Sequence, residues 1–415
     1  MKTLYNLFLL LYPLGAKLIS VRNEKAKKWL QGRKNVFEQL RLITHDKKII
    51  WVHCSSLGEF EQGKPLIEKL REQFSDVKIV LTFFSPSGYE VQKNYTGADY
   101  IFYLPLDSRS NATKFFDLVN PALAVFIKYE FWYYYISEAN RRNIPLILAS
   151  GVFRKSQPFF KWYGNFHRKM LQSISYFFVQ DKRSIELLNS IGVQHVSVTG
   201  DTRFDRVIEI ANQFQPIKII EDFCGSAPVI VAGSTWTDDD EELDHYANTN
   251  QHIRFIIAPH DISKARIDEC LSLYKNSIRF SEYQSNNEQR SNSNVLIIDN
   301  IGLLSKLYRY STISYIGGGF GADGVHNVLE AAVYGKPVVF GPEYEKYIEA
   351  VELVEREGAF PVENALELEQ QLNKLLYDEV LYTKACSASE TFVKENAGAT
   401  EKIISYIQEK RLFTT

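Results

Sequence analysis

The stretch HCSSLGEFEQGKPLI, residues 53–67, sets Glu59 where an apolar β-type run gives way to a helical pattern. Ser55, Ser56 and Gly58 form a small-residue turn between them. A carboxylate at such a place can serve as a general base, taking a proton from a hydroxyl as it attacks an electrophile. It can also do no more than favour the first turn of the helix, whose free N–H groups stabilise negative charge. In open α/β sheets ligands bind outside the carboxyl ends of the strands, which is where Glu59 is expected.

A second constellation is YIGGGFGADGVHNVLEAAVYGKPVVFGP, residues 315–342. A strand runs into Gly317, Gly318 and Gly319, and a helix is expected to open near Val325. Asn327 and Glu330 stand three apart and would share one face of its first turn. Glycines let backbone amides approach a phosphate, and a helix N-terminus favours an anion. The Glu330 carboxylate could accept bonds from sugar hydroxyls. The spacing is neither a Rossmann fingerprint nor a Walker loop, and a structural Gly-rich turn is the competing reading. Ser234 and Thr235 of GSTWT read as helix N-caps that could also touch a ligand. The run Asp238–Glu242 (DDDEE) after them reads as a solvated first turn.

These residues need elements to hold them. The chain has 415 residues, enough for two domains. Strand-like runs IIWVHC, KIVLTFF, YIFYLPL, ALAVFIK, IPLILAS, SYFFVQ and VSVTG alternate with helical stretches in the first half. The alternation restarts as VIVAGS, IRFIIAP, VLIID, TISYIGG and PVVFG. Near-continuous apolar strands between helices predict parallel sheets covered on both faces. The expected division is residues 1–47 as an N-terminal segment, 48–210 as one Rossmann-like domain, 211–225 as a linker, 226–395 as a second Rossmann-like domain and 396–415 as a C-terminal helix. Residues 281–294 (SEYQSNNEQRSNSN) read as a surface loop. A net charge of −2 argues against a nucleic-acid partner, and four dispersed cysteines without a CxxC pair argue against a disulfide framework or zinc site.

The N-terminus stands apart. Leu7 to Ala16 is an apolar run too short to span a bilayer, and residues 22–48 hold nine Lys/Arg against three acids. An apolar anchor followed by a basic skirt suits a segment on an anionic, cytoplasmic membrane face. A buried first helix is the alternative. The aromatic segment FFKWYGNFHRKM, residues 159–170, is either a packed helix or part of a surface meeting a phosphorylated, acylated acceptor.

The Gly-rich turn, H-N-x-L-E and G-K-P-V-x-F-G-P resemble the nucleotide-binding region of GT-B glycosyltransferases. Taken with the S-x-G-E turn, in this order, the chain resembles the 3-deoxy-D-manno-octulosonate (Kdo) transferases. The resemblance implies two Rossmann-like α/β domains with parallel sheets facing a central cleft, plus an N-terminal membrane-associated helix. It implies inverting transfer of Kdo from CMP-Kdo to the lipid A precursor at the cytoplasmic side of the inner membrane, in lipopolysaccharide biosynthesis. The family's general base falls on Glu59, its second acid on Glu130 of KYEFW, and its basic residue on Arg203 of GDTRFD, an arginine where a lysine is usual. The nucleotide contact P-R-H falls on Pro259 and His260, without the arginine. A turn usually reading M-G-E-L falls on Ile301, Gly302 and Leu303, and the last nucleotide motif on Asn327, Val328, Leu329 and Glu330. Ser234, Thr235, Gly318 and Gly319 are further ligand candidates.

The chemistry has its own logic. Inverting transfer needs a base for the acceptor hydroxyl and positive charge or helix N-termini for the leaving phosphate. Glu59 would supply the first; Arg203 and the helices expected after Gly302 and Gly324 the second. CMP leaves as a monophosphate, so no metal or other cofactor is expected. The alternatives are another GT-B enzyme, such as a UDP-sugar epimerase or UDP-dependent transferase, and an inactive membrane scaffold.

Overall fold

The computed structural model describes residues 2–285 and 293–413. The chain divides into two compact units, Met1–Arg206 with Ala397–Thr415, and Val207–Asn396.

The first unit is built on a parallel seven-stranded sheet: β1 Lys48–Cys54, β2 Val77–Phe83, β3 Tyr100–Tyr103, β4 Leu123–Ile127, β5 Leu146–Gly151, β6 Tyr176–Val179 and β7 Val196–Val198. Their order is β3-β2-β1-β4-β5-β6-β7. Alternate residues of β1 enter two different cores: Ile49 and Trp51 pack with Phe115, Phe126 and Tyr135, while Ile50, Val52 and Cys54 pack with Phe60, Leu66 and Ile67. Both faces are dry, so the strand sequences carry little polar alternation. The chain crosses from β3 back to β4 on the far side of β1, so the strand order reverses between β1 and β4. Glu59 follows one of these strands and Glu130 the other.

The second unit repeats the plan with β8 Val229–Thr235, β9 Arg254–Pro259, β10 Ser277–Arg279, β11 Val295–Ile297, β12 Ile313–Ile316, β13 Val338–Phe340 and β14 Ala359–Pro361, in the order β10-β11-β9-β8-β12-β13-β14. Here the reversal falls between β8, which ends at Ser234 and Thr235, and β12, which runs into the triple glycine.

Three expectations need correction. The C-terminal helix is not a separate element: Ile403, Ile404 and Ile407 of the Ala399–Glu409 helix lie in one core with Leu66, Leu70 and Leu81. Asp205 fastens its start by accepting the N–H groups of Gly398 at 2.6 Å and Thr400 at 2.7 Å. Residues 211–225 do not mark the division, which falls at Arg206–Val207; they lie in the second unit, where Lys218–Cys224 is helical with Ile220 and Phe223 buried. The loop expected at 281–294 begins as the helix Phe280–Ser285, and its residues 286–292 lie outside the described residues.

At the N-terminus it is the alternative, a buried first helix, that fails. A single helix, Lys2–Ile19, carries Pro13 within it and buries only Leu9. It is not a buried helix: Leu7, Leu10, Leu14 and Leu18 are 49, 66, 55 and 79% exposed. Its inner side is held by Tyr5, which donates to Asp107, and by an edge-on contact of Tyr12 with Trp29 at 5.2 Å. Among the described residues no helix is long and apolar enough to cross a membrane.

Candidate active site

Glu59 is the third residue of the Leu57–Gln73 helix and reaches back to accept the Ser56 N–H at 3.1 Å. The capping reading therefore describes a real contact. It does not account for the rest of the environment. Burial, then the charge of Glu130, push the Glu59 carboxyl up to about 8, against the smaller opposing pull of the Ser55 and Ser56 amides and Lys128. A carboxylate with that proton affinity is poised as a base near neutral pH.

Glu130 is buried on the turn after β4. Its Oε2 lies 3.0 Å from His53 Nε2, and Trp132 Nε1 donates to the same oxygen. Of the expected T-E-L-W-P pattern, the two residues kept, Glu130 and Trp132, are thus bonded to each other. Arg203 opens the Thr202–Asn212 helix and clasps Asp201 through Nε at 2.9 Å and its terminal nitrogen at 2.8 Å. Gln62 donates to Asp201 as well, at 3.0 and 3.1 Å. Burial alone would raise the Asp201 carboxyl; the Arg203 charge and these bonds outweigh it and hold the group low. Tyr129 feels the charges of both Arg203 and Glu59, so the three sequence candidates of this unit share one neighbourhood.

In the second unit the triple glycine is first a packing device. A Cβ on Gly317 would come within 2.4 Å of Ser234 O, and Gly318 sits at φ +91°. The Gly318 N–H is not free for a phosphate: it donates to Asp239 Oδ2 at 2.8 Å. Asp239 also accepts the Trp236 N–H and the Tyr315 hydroxyl, each at 2.8 Å. Its neighbour Asp240 is buried against Arg266 and Tyr274. DDDEE is therefore no solvated run; two of its acids are internal braces, both raised by burial.

The helix expected near Val325 starts only at Leu329 and ends at Ala332. The reason is local: Val325 and His326 give their N–H groups to Glu343 O and Gly317 O, at 2.9 and 3.0 Å, which keeps that segment out of a helix. Asn327 nevertheless meets Glu330, donating through Nδ2 at 3.1 Å. Val328 and Leu329 are buried between them and present no side chain. After Gly302 (φ +96°) the helix is also one turn, Leu304–Leu307, with Leu303 before it and Ile301 86% exposed. Thr235 is buried and Trp236, not Ser234 or Thr235, is the N-cap of the next helix.

Pro259 ends β9 in the core, and His260 emerges from it. The His260 ring stacks between Trp236 at 4.5 Å and His326 at 4.6 Å. Burial, then His260, depress the His326 imidazole to about 4, which leaves its Nε2 bare to accept the Trp236 indole N–H at 3.2 Å. Among the described residues no group of three or more His, Cys, Asp or Glu side chains could hold a metal ion.

Residues 30–206 match the family model described as 3-deoxy-D-manno-octulosonic-acid transferase (kdotransferase). Proteins described as 3-deoxy-D-manno-octulosonic acid transferase from Aquifex aeolicus and Haemophilus influenzae are 28% identical over 337 residues and 25% over 373, covering 80% and 86% of this chain and 86% of each relative. The similarity to Kdo transferases thus extends over most of the chain. A bifunctional glycosyltransferase/methyltransferase of Fusobacterium nucleatum is 29% identical over 379 residues, 88% of this chain, which spans only 56% of that relative. Among solved structures, the UDP-GlcNAc 2-epimerase from Neisseria meningitidis bound to UDP-GlcNAc superposes with a TM-score of 0.63 at 18% identity, over 87% of this chain and 100% of the other. At that identity the likeness is one of fold, and it identifies the two parallel-sheet units as a GT-B pair.

Several residues of the site carry little or no signal in the sequence. His53 is a polar residue in an otherwise apolar strand, IIWVHC, and that interruption was its only signal. Gln62 and Lys128 (φ +66°) had none, while Asp201 and Asp239 stand inside GDTRFD and DDDEE, stretches read there for other roles.

Proposed function

We propose that the chain is an inverting glycosyltransferase that moves Kdo from CMP-Kdo onto the lipid A precursor. The observation that carries the chemistry is Glu59, raised to about 8 beside Glu130 at the point where the first sheet reverses its strand order. In this reading Glu59 takes the acceptor hydroxyl proton while that oxygen bonds to the anomeric carbon of Kdo. The bond to the CMP phosphate breaks with its electrons on the phosphate oxygen, and Arg203, braced by Asp201, offsets the charge. The donor nucleotide falls to the second unit, at Pro259 and His260, Ile301 to Leu303, and Asn327 to Glu330. No metal takes part in this scheme.

The exposed apolar side of the Lys2–Ile19 helix supports a seat on the cytoplasmic face of the inner membrane, with the basic residues of 22–48 beside it. The lipid acceptor would then be met where it resides. Incubation with CMP-Kdo and a tetraacylated lipid A precursor, followed by mass spectrometry of the lipid, tests the function. The expected result is a lipid heavier by Kdo residues. An unchanged lipid mass, or CMP release that ignores the lipid, overturns it.

A further inference from the structure

His53 is fully buried at the end of β1, and the proposed reaction gives it no part. Its ring has polar partners on both sides. Nδ1 lies 2.8 Å from Thr82 Oγ1 and 3.0 Å from Thr82 O on the neighbouring strand β2. Nε2 lies 3.0 Å from Glu130 Oε2 on the turn after β4. The Thr82 hydroxyl already accepts the Trp51 indole N–H at 2.8 Å, which leaves its own proton to give away. With its proton on Nε2, the ring accepts the Thr82 hydroxyl at Nδ1 and donates to Glu130 through Nε2–H, while the Thr82 carbonyl oxygen, itself an acceptor, gains no bond from Nδ1. The Trp132 indole nitrogen is 3.2 Å from Nε2, but an indole only donates, so both N–H groups converge on Glu130 Oε2.

We propose that His53 is a positioning residue for the transfer reaction: through Nε2–H it holds the Glu130 carboxyl in a fixed orientation beside Glu59. This rests on Glu59 being the base. The chain Trp51–Thr82–His53–Glu130 spans strands β1 and β2 and the turn after β4, so the sheet itself fixes where the Glu130 charge stands. That charge, after burial, is what raises Glu59. The other groups facing Glu59 are Lys128 and Tyr129 beside Glu130 and Cys54 at the end of β1. Among them Lys128 alone opposes the rise.

Two measurements on the full-length protein test this. Imidazole 15N–1H spectra of the wild type should show His53 carrying its proton on Nε2, with that signal shifted in Glu130→Gln. A His53 protonated on Nδ1 alone overturns the proposal, whether or not the protein transfers Kdo. In the transfer assay, His53→Ala and Thr82→Val should lower kcat while the donor KM stays within about twofold. In His53→Ala the alkaline-rising limb should also move down by roughly one pH unit, as when a like charge is relieved. His53→Gln, which keeps a donor near Oε2, should recover part of kcat. Should His53→Ala not fold, Thr82→Val and the spectra decide. A folded variant with the wild-type pH profile and kcat would mean that His53 is only a satisfied core residue. Absence of transfer by the wild type would count against the proposed function, while the spectra would still judge His53.

Discussion

Asp239 Oδ2 accepts the backbone N–H of Gly318 at 2.8 Å, tying the turn after β8 to the turn after β12 in the second unit. The two turns are the walls of that unit's strand-order reversal. One consequence is chemical. An anion at this Gly-rich turn must be met by groups other than the Gly318 amide, because a buried carboxylate already holds it.

The neighbouring acid gives a stability prediction. Asp240→Ala would leave Arg266, 7% exposed, buried without its main counter-charge. Breaking a buried pair from one side typically costs about 3–5 kcal/mol. Thermal unfolding should show the loss, and the double variant Asp240→Ala, Arg266→Met should recover much of it.

Glu59→Gln keeps the side-chain shape and removes the basicity. Transfer should fall by roughly 10²–10⁴ while CMP binding, followed by calorimetry, stays near wild type. The wild-type rate should rise with pH through a limb near 8. A variant retaining more than about a third of the turnover would reduce Glu59 to its capping role.

The same residue links pH to stability. Its folded value, about 8, is above its ordinary 4.5, so its favourable contribution is complete below pH 4.5 and is lost as pH rises through 8. Glu59→Gln should therefore gain melting temperature over wild type at pH 9 and gain little at pH 4. An equal difference at both ends would contradict the raised value.

Changing Leu7, Leu10, Leu14 and Leu18 to Gln alters side chains that pack on little of the protein. Circular dichroism should be unchanged. Sedimentation with anionic vesicles should fall sharply, since each leucine side chain buried in lipid is worth on the order of 1–3 kcal/mol. Undiminished co-sedimentation would remove this helix as the membrane seat.

Glu330→Ala should weaken CMP binding by roughly ten- to a hundredfold, the usual result of losing a charged hydrogen-bonding partner worth about 1.5–3 kcal/mol. Asn327→Ala should act in the same direction but less, because it removes a neutral amide and the 3.1 Å bond that steadies Glu330. Titration calorimetry separates the two, and wild-type affinity in both would make this turn scaffolding.

What the sequence reveals follows from where burial makes a pattern. IIWVHC and ALAVFIK are apolar but for His53 and the terminal Lys128 because residues on both sides of the sheet are dry, so such strands can be read directly. Ser277–Arg279 and Ala359–Pro361 are edge strands of three residues each, too short for any periodicity to mark. DDDEE misleads because a buried acid is betrayed only by its partners, and Tyr315, Tyr274 and Arg266 are distant in sequence. The same holds for His53, whose partners arrive from β2 and from the turn after β4. Glu59 was legible because a strand, a small turn and a helix announce its place, though not its proton affinity, which Glu130 modifies from another strand.

The return of residues 397–413 to the first unit makes its completion a matter of timing during synthesis. The apolar surface around Leu66, Leu70 and Leu81 emerges early, yet Ile403, Ile404 and Ile407, which cover it, are made only after the second unit. The whole of Val207–Asn396 is translated in between. At about 5–20 residues per second the nascent chain would carry that uncovered face for roughly ten seconds or more, within reach of chaperones and of other unfinished chains. A ribosome stalled before the last helix would therefore hold a first unit with its strands present and one side of its core open to water.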